Sequence, residues 1–347
     1  MWTVVQQRQQ PSRRRREANA AKSAGGGKGV SSLVTTIPSR STAAEVKHLR
    51  KAARFLRGLA FVRRDVISPL RHFLNAHSNG LTGIKLVALG IGPFTYEESR
   101  AGFLQMALFI VLQSECESFV RHLIRSKLSS VPSNNGDGLQ PSTPTVRACF
   151  FDPVATEVHT KCCDKLGVVM EECNLYGAYI PGHPHALLIA YLPHSPWVLL
   201  RNLFVSNLTK ISECPAGGEG GVNKVDSLVL RRTLVIGNDV KKGPCVSDTF
   251  LEKLGAYLHI GELHVRGRRK QCVESFVECV SDTCDDVGDV GEVTVFDGLT
   301  GISRHDIVQA FSETSVMQLN ERSELLLLDE LKRIRIPPLT CVGLDMV

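Results

Sequence analysis

Short apolar runs alternate with helix-spaced stretches from residue 84 onward, and each run ends in a turn-forming motif. Ile84–Leu89, Ala148–Asp152, Val168–Glu171, Leu187–Leu192 and Thr233–Ile236 have the length and flanks of buried strands. Between them, the segments starting at Tyr96, Ala155 and Trp197 carry apolar residues at helical spacing. Thr95-x-x-Glu98 reads as a capping box opening a helix from Tyr96 to about Ser114. This alternation predicts an α/β fold of three layers, Rossmann-like, with a mainly parallel sheet and helices on both faces. Later, 250–257 and 323–335 read as helices, and 276–280 and 308–319 as strands around an acidic loop at 282–292.

The stretch before residue 84 has a different pattern. Val46, Leu49, Ala53, Leu56, Leu59 and Ala60 recur at helical spacing, with Lys47, Arg50, Lys51, Arg54 and Arg57 between them. Pro69 is expected to break this region into two helices. Residues 1–44 lack apolar periodicity and read as a disordered basic tail. The chain thus divides into that tail, a basic amphipathic helical region over 45–82, an α/β domain over 83–320, and a C-terminal helix and tail over 321–347.

Charge sharpens this division. Residues 1–72 hold 16 of the 41 Lys/Arg and only 3 of the 35 Asp/Glu, so the remaining body is mildly acidic. The basic face of the helical region either is simply solvated, with its apolar stripe packed on the body, or contacts nucleic acid or an acidic partner. The 11 cysteines are irregularly spaced, without a C-x-x-C pair, which fits reduced thiols in a cytoplasmic or nuclear protein. No run of 18 uncharged apolar residues exists, so no membrane span is expected.

In open α/β sheets, sites collect at the carboxyl ends of strands. Gly90 and Gly92 follow the first strand, but Thr95 takes the third-glycine position of a dinucleotide fingerprint. No acidic residue closes a second strand about 20 residues on, where a ribose ligand would need one. A tight strand-to-helix turn accounts for the two glycines equally well. Asp152 and His194 each end a strand; as neighbours they would form an acid–base pair, and otherwise they hold turns. Asn238 and Asp239 end the fifth run and join Gly90 and Gly92 as candidates for ligand binding. His159, Cys162 and Cys163 lie within a helical turn, without a second pair at metal spacing, so no metal site is expected. Cys214-Pro215 or His194 offers a single axial ligand for haem.

In this order, the strand-end motifs resemble the Sensitivity-to-Red-light-Reduced (SRR-like) family. The residues are Gly90-Ile91-Gly92, Asp152-Pro153-Val154, Asn174 with Gly177, Leu192-Pro193-His194, Asn202-Leu203-Phe204, Ile236-Gly237-Asn238 and Phe311-Ser312-Glu313-Thr314-Ser315. They span about 83–320. Pro93 stands where the pattern has Asn, and Ser195 where it has Cys. The resemblance implies a regulatory protein acting through protein partners. Its relatives are linked to light signalling and the circadian clock, to haem metabolism and to cytoskeletal stability, and share no established reaction. The leading expectation is a non-enzymatic regulator. The alternatives are an enzyme on a Rossmann-like scaffold using Asp152 and His194, and a haem sensor.

Overall fold

Side chains that alternate along the central strands fall into two separate hydrophobic clusters, and this division builds the layers. Leu86, Ala88, Phe150, Ile189, Tyr191, Leu234 and Ile236 point to one side, and Val87, Leu89, Cys149, Leu188, Ala190, Leu192 and Val235 to the other. In the computed structural model, the described residues are 41–130, 143–183, 185–208, 210–213, 225–265 and 302–340. The basic tail up to residue 40, Cys214, the 276–280 run and the acidic loop lie outside them.

The main sheet contains β1 (Gly83–Leu89), β2 (Thr145–Phe151), β3 (Val169–Met170), β4 (Ala186–Leu192), β7 (Thr233–Asn238), β8 (Leu258–Glu262) and β9 (Thr314–Leu319). Its order is β3-β2-β1-β4-β7-β9-β8. The pairings from β3 through β7 are parallel, and β9 runs antiparallel to both β7 and β8. The fold is the expected three-layer α/β arrangement. A separate hairpin, β5 (Lys210–Glu213) with β6 (Val225–Leu228), lies outside the main sheet.

One face is covered by α1 (Thr42–Gly58), α2 (Ala60–Val62), α3 (Ser68–Ala76), α4 (Arg100–Ser130), α5 (Glu157–Leu166) and α8 (Arg304–Phe311). The other is covered by α6 (Trp197–Ser206), α7 (Thr249–Gly255) and α9 (Glu324–Glu330). Ser41 caps α1, and its buried stripe of Val46, Leu49, Ala52, Ala53 and Leu56 joins the core. Part of its basic face also packs inward. Arg57 and, from α3, Arg71 clamp the buried Glu115 of α4 at 2.6 and 2.7 Å, and Arg50 donates to the Lys165 carbonyl at 3.0 Å.

Three expectations need correction. The first helix breaks at Leu59, whose backbone turns extended, and not at Pro69. Pro69 instead lies within continuous helical backbone, near the start of α3, with a π-turn over Arg63–Ile67 immediately before it. The helix after β1 starts at Arg100, not Tyr96: residues 95–98 form a separate turn, closed by the Ser99 N–H on the Thr95 carbonyl at 3.1 Å. The 308–319 run is not one strand: it divides at Ser312–Glu313 into α8 and β9. Residues 100–126 are long and apolar enough to cross a membrane by length and composition, yet 67% of the most apolar 18-residue window within them is buried in the fold. It is the central core helix.

Candidate functional site

The chain crosses from β1 to β2 on one side and reaches β4 on the other, so the carboxyl ends of β1 and β4 flank a crevice. A cleft of about 600 Å³ opens there. Its walls include Gly90, Gly92, Ser99, Gly102, Gln105, Asp152, Asn174, His194 and Glu313. The volume suits a small-molecule site, for which roughly 300–1,000 Å³ is typical.

The floor is the β1 loop. Gly90 and Gly92 both adopt left-handed backbone, with φ of 68° and 75°. At Gly90, a Cβ would stand 3.3 Å from the Ser195 Cβ, so this loop and the one after β4 press together. Asp152, only 8% exposed, ties the β1 and β2 ends. Its Oδ2 accepts the Gly92 N–H at 2.7 Å and its Oδ1 the Val154 N–H at 3.0 Å. A carboxylate offers about four acceptor positions, so about two remain.

Helix α4 enters through a close backbone approach. Ser99 caps it by accepting the Gly102 N–H at 3.0 Å. A Cβ on Gly102 would lie 2.1 Å from the Pro93 carbonyl oxygen. Glu98 Oε2 accepts from the Thr95 hydroxyl at 2.6 Å and from the His159 Nε2–H at 2.9 Å. The tautomer follows from the other nitrogen, since Nδ1 accepts the Thr156 N–H at 2.9 Å. Thus His159 is a buried cap of α5. Burial pushes the neighbouring Cys162 and Cys163 thiols up to about 11 and 12, away from thiolate chemistry. Among the described residues no group of three or more His, Cys, Asp or Glu side chains is placed to hold a metal.

His194 sits on the β4 loop with φ 51°, left-handed although not glycine. Such backbone costs about 1–3 kcal/mol and persists only where the surroundings impose it. Its Nε2–H donates to the Ala310 carbonyl at 3.0 Å, leaving the Nδ1 lone pair available in the neutral ring. The same carbonyl accepts from Gln105 Nε2 at 3.0 Å. Ala310 ends α8, where helical carbonyls lack intrahelical partners, and so it can hold both side chains. Asn174 accepts the Tyr176 N–H at 2.8 Å, and Gly177 brings this turn against the start of α6, where a Cβ would lie 2.3 Å from the Leu199 carbonyl oxygen.

The structure therefore gathers Gly90, Gly92, Asp152 and His194 into one cleft. It does not join Asp152 to His194 as a hydrogen-bonded pair: the first serves loop amides and the second Ala310. Asn238 and Asp239 stand behind the cleft wall. Asn238 donates to the Ser195 carbonyl at 2.8 Å, and Asp239 accepts the Lys241 N–H at 2.8 Å. Cys214 lies outside the described residues. Sequence reasoning missed Gln105, Gly102 and Glu313. Gln105 had a signal, being a polar residue within the apolar run of α4; the other two are defined by long-range contacts.

A family model for the SRR1 domain matches residues 70–259. No curated protein and no solved structure matches the chain significantly. The matched region covers more than half of the 347 residues and holds β1, β2, β4 and β7 with the loops that build the cleft. The chain belongs to the SRR1 domain family.

Proposed function

We propose that this chain is a regulatory protein whose output depends on a small molecule held in the cleft at the ends of β1, β2 and β4. The observation that carries this is the convergence of the family motifs. Gly90, Gly92, Asp152, Asn174 and His194 come from separate segments and line one cavity of ligand size. His194 is held there in a left-handed backbone, and strain of that kind clusters at ligand sites. The bonds of Asp152 to loop amides favour a role in shaping the site over one in an acid–base pair. In this reading the ligand alters surfaces seen by protein partners in the cytoplasm or nucleus, and the basic face of α1 is a further contact for a partner or nucleic acid.

The test is a thermal-shift screen of central metabolites on the full chain. Ligand at 100 times its Kd adds about 2.7 kcal/mol, which raises the melting temperature by roughly 4 °C for a protein of this size. A variant carrying Val154→Trp and Ser312→Trp, at two exposed lining positions, should lose the shift. A library without any hit, or a hit that persists in the variant, would overturn the reading.

A further inference from the structure

The main sheet has a feature that a dinucleotide fold lacks. Counted along the chain, its seven strands lie in the order 3-2-1-4-5-7-6, with the seventh reversed. The dinucleotide-binding order is 3-2-1-4-5-6. A reversed last strand slotted between the fifth and sixth is instead the arrangement of adenosylmethionine-dependent methyltransferases. Topology alone is only analogy, so the lining residues must decide whether such a ligand fits.

Three properties of the lining bear on this. First, an acidic residue does close the second strand. Asp152 follows β2 directly, and its carboxylate keeps about two acceptor positions after serving Gly92 and Val154. A ribose diol offers two O–H donors. Second, the β1 loop is poorly equipped for a pyrophosphate. The Gly92 N–H is already given to Asp152 at 2.7 Å, and residue 93 is a proline without an N–H. Third, the described lining includes the carboxylates of Asp152 and Glu313 and no Lys or Arg. Such a wall disfavours phosphates and favours a cation. Beside Asp152, Pro153 and Val154 present apolar surface, and Asn174 keeps its Nδ2 as a donor. These suit the faces and ring nitrogens of a purine.

Resting on the ligand-binding reading of the same cleft, we propose that it binds an adenosyl sulfonium of the S-adenosylmethionine class, with the ribose diol on Asp152. S-adenosylhomocysteine, the neutral thioether, is the second ligand the site accepts. The acidic wall ranks the cation above it, and the spent loop amides rank NAD and ATP below both.

Isothermal titration calorimetry on the full chain tests this with S-adenosylmethionine, S-adenosylhomocysteine, NAD and ATP. The first two should bind, and NAD and ATP should bind at least about tenfold more weakly, lacking donors and cations for their phosphates. Losing hydrogen bonds to a charged acceptor lowers affinity about 10- to 100-fold, so Asp152→Ala should do so for both adenosyl ligands. Because that variant also frees the Gly92 and Val154 amides, Glu313→Lys at the exposed rim is the second. It should weaken S-adenosylmethionine more than S-adenosylhomocysteine, since only the former carries the sulfonium charge. Absence of S-adenosylmethionine binding, stronger binding of NAD or ATP, or affinities unchanged in both variants would overturn the proposal. If adenosyl compounds fail while another metabolite gives a shift lost in the tryptophan variant, this assignment falls and the ligand-binding reading stands. If no compound binds, both fall.

Discussion

Replacing Gly177 by alanine should destabilise the protein for two separable reasons. Gly177 has φ 86°, and an added Cβ would lie 2.3 Å from the Leu199 carbonyl oxygen. Left-handed backbone costs an L-residue about 1–2 kcal/mol. Reduced freedom of the unfolded chain returns about 0.4–1 kcal/mol. The overlap is with backbone of α6, which cannot rotate away, and overpacking of this kind adds about 1–3 kcal/mol. The sum is a loss of about 2–4 kcal/mol. Gly92 is the internal control: its φ is 75°, but nothing lies within 4 Å of where a Cβ would stand, so Gly92→Ala should cost only about 1 kcal/mol. Gly102 isolates the other contribution. It is helical, so alanine gains about 1 kcal/mol of propensity, yet its Cβ would meet the Pro93 oxygen at 2.1 Å. The net effect should be destabilising. Urea unfolding followed by circular dichroism measures all three, and an unchanged m-value keeps the comparison valid. If Gly177→Ala matched Gly92→Ala to within about 0.5 kcal/mol, or Gly102→Ala stabilised the protein, the close approaches that shape the cleft would be wrong.

Two further outcomes follow from buried polar contacts. Glu115 is clamped by both Arg57 and Arg71, which are themselves about half exposed. Each single Arg→Ala should cost about 1 kcal/mol or less, while the double variant should exceed the sum by about 1–2 kcal/mol, because it leaves a buried carboxylate uncompensated; simple additivity in the cycle would refute this. Asn202, fully buried, donates to the Tyr176 and Thr340 carbonyls at 2.8 and 2.7 Å and accepts the Thr340 N–H at 3.0 Å. Asn202→Leu should cost about 2–4 kcal/mol and release the segment before Thr340, seen as faster tryptic cleavage after Arg335; an unchanged cleavage rate would sink it.

Much of the architecture was legible because periodicity is a local property. Ile84–Leu89 and Leu187–Leu192 became β1 and β4 with one-residue shifts at most, since runs of that length bounded by turn residues have few alternatives. The errors occurred where a distant group decided the outcome. Thr95 and Glu98 had the spacing of a capping box, but the Thr95 hydroxyl is spent on the Glu98 carboxylate, which His159 from α5 also holds, and Ser99 caps α4. Asp152 meets the Gly92 N–H across 60 residues of chain, 31 of them in α4, a separation that no local pattern signals. β8 and the β5–β6 hairpin carry too few apolar residues to signal strands; pairing with neighbours creates them.

The placement of β9 also governs when the cleft can exist. Gln105 reaches the Ala310 carbonyl across 205 residues of chain, and His194 reaches it across 116. The last strand of the sheet to be synthesised is an interior one, paired on both sides by β7 and β8. Contacts of such sequence separation form late, after the local elements have condensed. On the ribosome, the β1, β2 and β4 loops therefore emerge well before the helix end that orients Gln105 and His194. A nascent chain has strands and glycine loops but an unfinished cleft until residues beyond 319 are free to fold, so under the proposed function a ligand would recognise only the fully synthesised domain.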